Sequence, residues 1–185
     1  MSPSPDLEIR STAGITSPSP GKLEGYAAVF NAAADLGEFV ETVRPGAFTR
    51  ALAERGENIL ALYDHERRSV LGRTGAGTLN LREDAKGLAF TLALPDTTLG
   101  RDLAVLVQRG DVSGCSFAFR CYDYGDAWEI RNGTMYRELR SVELSEITIT
   151  PQPAYADTSV AVRSLPVQIY RAANDPRRAW LETCR

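Results

Sequence analysis

Several stretches of the chain after residue 20 are rich in apolar side chains and some of them alternate between two faces, which is the pattern of β-strands. The polar DAKG turn between two such runs predicts a hairpin, and residues 126–133 are predicted to form the turn before the last strand. The predicted strands, in chain order, cover residues 23–30, 58–65, 71–84, 87–95, 114–124 and 135–151.

Two segments have the features of helices instead. Residues 46–55 follow Pro45, which suits a first helical turn, and precede Gly56, which suits a helix end. Residues 97–110 carry leucines at helical spacing and end at Gly110. This order of elements predicts a mainly β or α+β fold, an antiparallel-rich β-barrel with surrounding helices, rather than a doubly wound parallel sheet.

Composition divides the chain into three parts. Residues 1–20 are rich in Ser and Pro and are predicted to be a flexible arm, in which only the LEIRS stretch can join a sheet. Residues 21–161 are predicted to form one folded domain, with the charged stretch ERRS (66–69) as a turn. Residues 162–185 are predicted to be a weakly packed tail that includes a short helix.

The charge and cysteine content argue against several classes of protein. With 24 acidic and 21 basic residues the formal net charge is -3, whereas binding nucleic acid or an anionic membrane needs clustered positive charge. The N-terminus lacks the apolar core of a signal peptide, and no run approaches the roughly 18 apolar residues of a spanning helix. One histidine and three cysteines without a CxxC pair argue against a zinc site and favour a reducing cytoplasm. Nothing in the sequence calls for a cofactor, metal or nucleotide.

The lone histidine, His65, is the first candidate for chemistry. Histidine changes its charge nearest neutral pH and is the natural general base, although a single histidine is more often structural than catalytic. A histidine base needs a hydroxyl or thiol nucleophile, and Ser116 lies in the apolar run GCSFAF, with Ser113 and Cys115 as alternatives. Because successive strand residues point to opposite faces, at most one of Ser116 and Cys115 can meet His65.

Glu146 is the best candidate for a group that orients the imidazole. It lies in LSEITIT, a stretch otherwise built to be buried, and a buried carboxylate normally has a partner. Strict alternation places Val142, Leu144, Glu146 and Thr148 on one face. The alternative interpretation of Glu146 is an ion pair with an arginine or exposure at a sheet edge. Taken alone, the three candidate residues therefore indicate only that a hydrolase is feasible.

Five ordered motifs between residues 23 and 161 resemble a known family. They are GYAAVF, VRPGAF, LYDHERRSVLGRT, QRGDVSGCSFAF and LSEITITPQPAYADTSV. In order and approximate spacing they resemble the prohead maturation proteases of HK97-like tailed bacteriophages, to which proteases of gene transfer agents are similar. The resemblance implies a serine endopeptidase with a fold similar to the herpesvirus assembly proteases, a β-barrel wrapped by helices.

The resemblance also assigns roles to individual residues. The family histidine falls in the motif matched by LYDH and maps to His65, and the family serine falls in an SFGF-like motif and maps to Ser116. The acidic position of an EVS-like motif maps to Glu146. The sequence departs from the common pattern at Ala118, where Gly is usual, and at Thr148, where Ser is frequent. Neither departure removes a reacting group, but the sequence does not place the donors that the oxyanion needs.

The implied substrates are the scaffold-like N-terminal segment of the major capsid protein and the protease itself, cleaved inside assembling proheads in the host cytoplasm. Self-cleavage is expected in the arm 1–20 and the tail 162–185, because a protease needs an extended, locally unfolded chain; the tail is equally suited to dock into the precursor capsid. The herpesvirus relatives dimerise, so a homodimer is one expectation, with the apolar helix 97–109 packed against a partner. The alternative is that this helix packs against the barrel of its own chain.

Two alternatives stay open at the level of sequence. One is a catalytically inactive assembly or scaffold protein of the same fold, in which His65, Ser116 and Glu146 would not converge. The other is a cysteine hydrolase built on Cys115, whose thiolate would be an intrinsically strong nucleophile.

Overall fold

The structure, a computed structural model, describes residues 7–56 and 58–151. Within these ranges two α-helices are present, α1 (Thr49–Arg55) and α2 (Thr98–Arg109). The strands of the described ranges are β1 (Glu8–Ala13), β2 (Thr16–Ser19), β3 (Lys22–Val29), β4 (Ala33–Asp35), β5 (Val40–Val43), β6 (Leu60–Tyr63), β7 (Glu66–Arg73), β8 (Leu79–Glu83), β9 (Gly87–Ala93), β10 (Gly114–Cys121), β11 (Asp126–Arg131), β12 (Thr134–Leu139) and β13 (Val142–Thr150).

These strands form three hydrogen-bonded sheets, ordered β1-β10-β13-β6-β7, β11-β12-β5-β4 and β2-β3-β9-β8. All but two of the strand pairings are antiparallel, the parallel ones being β12 with β5 and β13 with β6. The predicted mainly β, antiparallel-rich fold is confirmed. So are the DAKG hairpin between β8 and β9 and the two predicted helices, with bounds shifted by a few residues.

The core lies against one face of the five-stranded sheet. Phe117 of β10 stacks on Phe119 and makes an edge contact with Phe48, just before α1, at 5.3 Å between ring centroids. Phe90 and Leu92 of β9 belong to the same buried cluster, so the β2-β3-β9-β8 sheet covers this face. The opposite face of β10 is therefore left for groups other than the core.

Helix α2 begins and ends where its sequence dictates. The Thr97 hydroxyl accepts a hydrogen bond from the Gly100 amide at the N-terminus. Gly110 ends the helix in the left-handed conformation (φ 84°), which glycine adopts without steric cost.

The prediction of a flexible arm over residues 1–20 is wrong for its described part. Strand β1, which contains most of LEIRS, pairs with β10 along its full length, and β2 pairs with β3. The capacity of LEIRS to join a sheet is thus confirmed. The Ser- and Pro-rich composition favoured a flexible arm. Composition does not reveal that β1 is held by β10, because that strand is distant in sequence.

A buried ion network holds β1 to the neighbouring sheet. Arg137 of β12 is 3% exposed and donates to Glu8 of β1 at 2.6 Å, to Glu41 of β5 at 3.1 Å and to Asp126 of β11 at 2.8 Å. Arg10 of β1 also donates to Glu41, at 2.6 Å. Burial, the largest single influence, raises the pKa of Glu8. Hydrogen bonds and charge attraction from Arg137 and Arg10 together lower the pKa by more than burial raises it, so the pKa of Glu8 is below its ordinary value.

Two predicted turns are strands. Residues 126–133 were expected to be a turn and 135–151 one strand, but β11 and β12 form a hairpin closed by Asn132 and Gly133, both at positive φ. An Asn-Gly pair is the preferred two-residue hairpin turn. The β-structure is then interrupted at residues 140–141, whose amides both donate to the Gly125 carbonyl, before β13 begins.

The stretch ERRS, which was predicted to be a turn, belongs to β7. This strand lies at the edge of its sheet, where exposed charged side chains are tolerated.

Strands β4 and β5 were not predicted, because their short stretches lack a clear alternation. No helix in the described ranges is long and apolar enough to cross a membrane. The predicted tail 162–185 and the end of the predicted domain at residue 161 lie outside the described residues.

Candidate active site

Ser116 lies in the middle of β10, between β1 and β13. It pairs with Ser11 on one side and with Thr148 on the other. Alternation along β10 sends Cys115 and Phe117 into the core, so the Ser116 hydroxyl emerges on the opposite face. The residue is 1% exposed, so its hydroxyl is shielded from solvent in this state.

Glu146 reaches the Ser116 face because β13 contains a bulge. Phe119 pairs with Leu144 but Ala118 pairs with Glu146, so β13 carries one extra residue, Ser145. The bulge breaks the alternation, and Leu144 packs into the core while Glu146 shares the face of Ala118 and Ser116. The prediction that Leu144 and Glu146 share one face is therefore wrong, because strict alternation assumes an unbroken strand.

His65 lies in a two-residue turn rather than at the end of a strand. The turn joins β6 to β7 and consists of Asp64 (φ 50°) and His65 (φ 57°), both in the left-handed region. This geometry matches the twist of a hairpin but is unfavourable for residues other than Gly, Asn and Asp. Two hydrogen bonds hold the turn against β13: the Asp64 amide donates to the Ile149 carbonyl at 3.0 Å, and the Thr150 hydroxyl donates to the Asp64 carboxylate at 3.2 Å.

The three predicted residues meet in one hydrogen-bonded chain. His65 Nδ1 lies 3.0 Å from Glu146 Oε1, and His65 Nε2 lies 2.8 Å from Ser116 Oγ. An ionised carboxylate only accepts hydrogen bonds, so beside Glu146 the neutral ring carries its proton on Nδ1. Nε2 is then the acceptor for the Ser116 hydroxyl. The imidazole thus reaches from the β6–β7 turn across β13 to β10.

Burial divides the site into a shielded part and an open part. The His65 side chain is 28% exposed, while that of Glu146 is 8% exposed. The carboxylate therefore interacts with the imidazole in a largely dry environment, where the hydrogen bond is stronger than in water. This arrangement can remove a proton from a serine and hold the resulting imidazolium.

The alternative nucleophiles do not join this chain. Cys115 is fully buried in the core cluster, and its thiol donates a weak hydrogen bond to the Ser116 carbonyl at 3.7 Å. Burial raises the pKa of the Cys115 thiol far above its ordinary value, so the thiolate is disfavoured. Ser113 precedes β10, and its carbonyl accepts backbone hydrogen bonds from Gly14 and Ile15.

Sequence reasoning missed the residues that support the site. Asp64 was noted only as a strand residue, although Asp is one of the residue types that tolerate the left-handed conformation of a hairpin turn. Thr148 was placed on the face of Glu146 and noted as a departure from a motif, but it was given no role, although it lies directly across from Ser116. The described residues hold no group of three or more His, Cys, Asp and Glu side chains placed to bind a metal ion.

The comparisons with known proteins agree with the motifs. The family model of the caudovirus prohead serine proteases matches residues 6–171. Among solved structures, the bacteriophage T4 capsid assembly protease is similar in fold, with a TM-score of 0.54 and 11% identity over 79% of this chain and 98% of that one. No curated protein sequence matches this chain significantly. Since the family model covers most of the sequence, this chain belongs to the caudovirus prohead serine protease family.

Proposed function

We propose that this protein is a serine endopeptidase of capsid maturation in which Ser116 is the nucleophile, His65 the general base and Glu146 the residue that orients the imidazole. The observation that carries the proposal is the continuous chain of hydrogen bonds from Ser116 through both ring nitrogens of His65 to Glu146. Family membership supports the reaction class, peptide hydrolysis in the prohead.

The mechanism follows from the protonation state of the imidazole. Ser116 Oγ attacks the scissile carbonyl carbon while its proton passes to His65 Nε2, which leaves a positively charged ring hydrogen-bonded to the Glu146 carboxylate. When the tetrahedral intermediate collapses, the C–N bond breaks and the imidazolium gives its proton to the leaving nitrogen. A water molecule activated by the same imidazole then hydrolyses the acyl-enzyme.

The geometry favours this mechanism over both alternatives. An inactive scaffold would gain nothing from this arrangement, because apolar side chains could fill the same face of the sheet without the cost of removing a carboxylate and an imidazole from water. A cysteine hydrolase would need Cys115 near His65, but strand alternation directs the thiol into the core.

The substrates proposed are the scaffold-like N-terminal segment of the major capsid protein and the protease itself. These substrates come from the resemblance of the sequence motifs to prohead proteases. Self-cleavage is proposed in the tail, residues 162–185. The N-terminal site proposed from composition is less favourable, because β1 and β2 are paired in sheets and a protease needs an extended, unpaired chain.

Labelling with a fluorophosphonate–rhodamine probe tests the nucleophile. The purified protein should be labelled on Ser116, as located by peptide mass spectrometry, and Ser116→Ala should abolish labelling while the circular dichroism spectrum stays native. Iodoacetamide under the same conditions should leave Cys115 unmodified, because the thiol is buried and its pKa is raised. Labelling that persists in Ser116→Ala, or wild-type activity that is lost as Cys115 is alkylated, would refute the assignment.

A further inference from the structure

The hydroxyl of Thr148 is buried without a hydrogen-bond partner. Thr148 is 0% exposed in the middle of β13. Of the buried side-chain nitrogen and oxygen atoms in the described part of the chain, only Thr148 Oγ1 lacks a partner. Buried polar groups in native proteins are nearly always satisfied, so this one calls for a physical explanation.

Stability does not explain the hydroxyl. Valine has the same shape as threonine and a high preference for strands, and it would fill the site without burying an unpaired polar atom. The neighbouring Thr150 differs, because its hydroxyl donates to Asp64 and holds the β6–β7 turn. The Thr148 hydroxyl therefore makes no stabilising interaction in the protein without substrate.

The position of Thr148 in the sheet indicates a function for its hydroxyl. Thr148 pairs directly with Ser116, and side chains of a directly opposed pair lie on one face with Cβ atoms about 4.5–5.5 Å apart. His65 and Glu146 on the same face are already engaged with each other and with Ser116. The hydroxyl is thus an uncommitted donor on the residue directly opposed to the one that attacks the substrate.

The reaction creates an acceptor at this place. As Ser116 Oγ bonds to the carbonyl carbon, the π electron pair moves onto the carbonyl oxygen, and the serine proton passes to His65 Nε2. The resulting oxyanion is two bonds from Oγ, within reach of a hydroxyl on the directly opposed residue. Donors preorganised for this charge are commonly the largest single contribution to catalysis.

We propose that Thr148 is a catalytic residue of the oxyanion hole, whose hydroxyl donates a hydrogen bond to the oxyanion. The proton stays on Thr148 throughout, and the hydrogen bond is made only in the tetrahedral state. This inference rests on the proposed function, because it needs Ser116 as the nucleophile.

The test compares Thr148→Val, Thr148→Ser and Ser11→Ala with the wild type. Ser11 is the matched control, since it pairs with Ser116 from the opposite side, on β1. The probe is fluorophosphonate–rhodamine, whose phosphonyl oxygen develops negative charge as Ser116 attacks. Thr148→Val should be labelled about 100-fold more slowly, whereas Thr148→Ser and Ser11→Ala should stay within about threefold of wild type.

Thermal denaturation separates this role from a structural one. Removing an unsatisfied buried hydroxyl should leave the melting temperature of Thr148→Val unchanged or raised, although labelling slows. A Thr148→Val protein that is labelled at the wild-type rate, or that is unfolded or clearly less stable, would overturn the inference. Wild-type protein that is not labelled at Ser116 would instead refute the proposed function, and the role of Thr148 with it.

Discussion

Ser116, His65 and Glu146 are adjacent in space because three local features act together. Alternation in β10 presents Ser116 on the face opposite the core, and the bulge at Ser145 turns Glu146 to that face. The two-residue turn then directs His65 over β13. Each side chain is held by backbone structure, so the hydrogen-bonded chain exists before any substrate binds, which is the preorganisation that catalysis requires.

Glu146→Gln tests the role of the carboxylate at the scale of one residue. The amide keeps the shape of the side chain but can donate to Nδ1, which favours the tautomer with a proton on Nε2 and removes the acceptor for the serine proton. The fluorophosphonate labelling rate should fall by about 10²–10⁴-fold. Glu138→Gln, which removes a carboxylate paired with Arg140 away from the site, should be labelled normally. A Glu146→Gln rate within about threefold of wild type would show that the carboxylate does not orient the ring.

The turn between β6 and β7 is the element on which the position of His65 depends. Asp64→Ala should lower the free energy of unfolding by about 1–2 kcal/mol, because alanine is disfavoured in the left-handed region and the hydrogen bond from Thr150 is lost. Fluorophosphonate labelling of Ser116 should slow as well, since a displaced turn misplaces the imidazole. Chemical denaturation and the labelling rate measure the two effects.

Asp64→Asn is the matched control for this turn. Asparagine tolerates the left-handed conformation and keeps an oxygen that can accept from Thr150, so stability and labelling should stay near wild type. If Asp64→Ala and Asp64→Asn behave alike, the turn does not position His65 in the way described.

At the element scale, the sequence signals that worked were those with a local cause. The DAKG hairpin and the cap of α2 at Gly110 depend on turn and cap residues that act within a few positions, and both were predicted. The Asn132–Gly133 hairpin carried an equally local signal that was overlooked. The bulge at Ser145 could not be predicted in this way, because it depends on how β13 meets β10.

The same distinction explains what was foreseen of the site. Alternation correctly separated Ser116 from Cys115, since that argument concerns neighbouring residues on one strand. The expectation that His65, Ser116 and Glu146 meet came from family resemblance, because no local pattern brings a turn and two strands that are distant in sequence together. Thr148 gained its importance only from the pairing of β10 with β13, which a single sequence does not display.

For the whole molecule, the ion network of Glu8, Arg10, Glu41, Asp126 and Arg137 joins two of the three sheets. Through Glu8 and Arg10 it fixes β1, the strand next to the one that carries Ser116. Replacing Arg137 by methionine should cost about 3–5 kcal/mol of stability, because carboxylates are left buried without their partner.

The pH dependence of stability is expected to reflect this network. The native pKa of Glu8 is lowered, so its contribution to stability is present above the unfolded pKa of about 4.3 and is lost as pH falls through the native value. Unfolding measured by urea across the acid range should show a falling stability in wild type. In Glu8→Gln the fall should be shallower; an equal slope in both proteins would mean that Glu8 is not coupled to folding.

The most direct test of the central claim is co-expression of the protein with the major capsid protein of the same particle, followed by mass spectrometry of the capsid protein's N-terminus. The account predicts a capsid protein shortened at its N-terminus with wild-type protease and full-length capsid protein with Ser116→Ala. Shortening that continues with Ser116→Ala, or full-length capsid protein in both cases, would contradict the account.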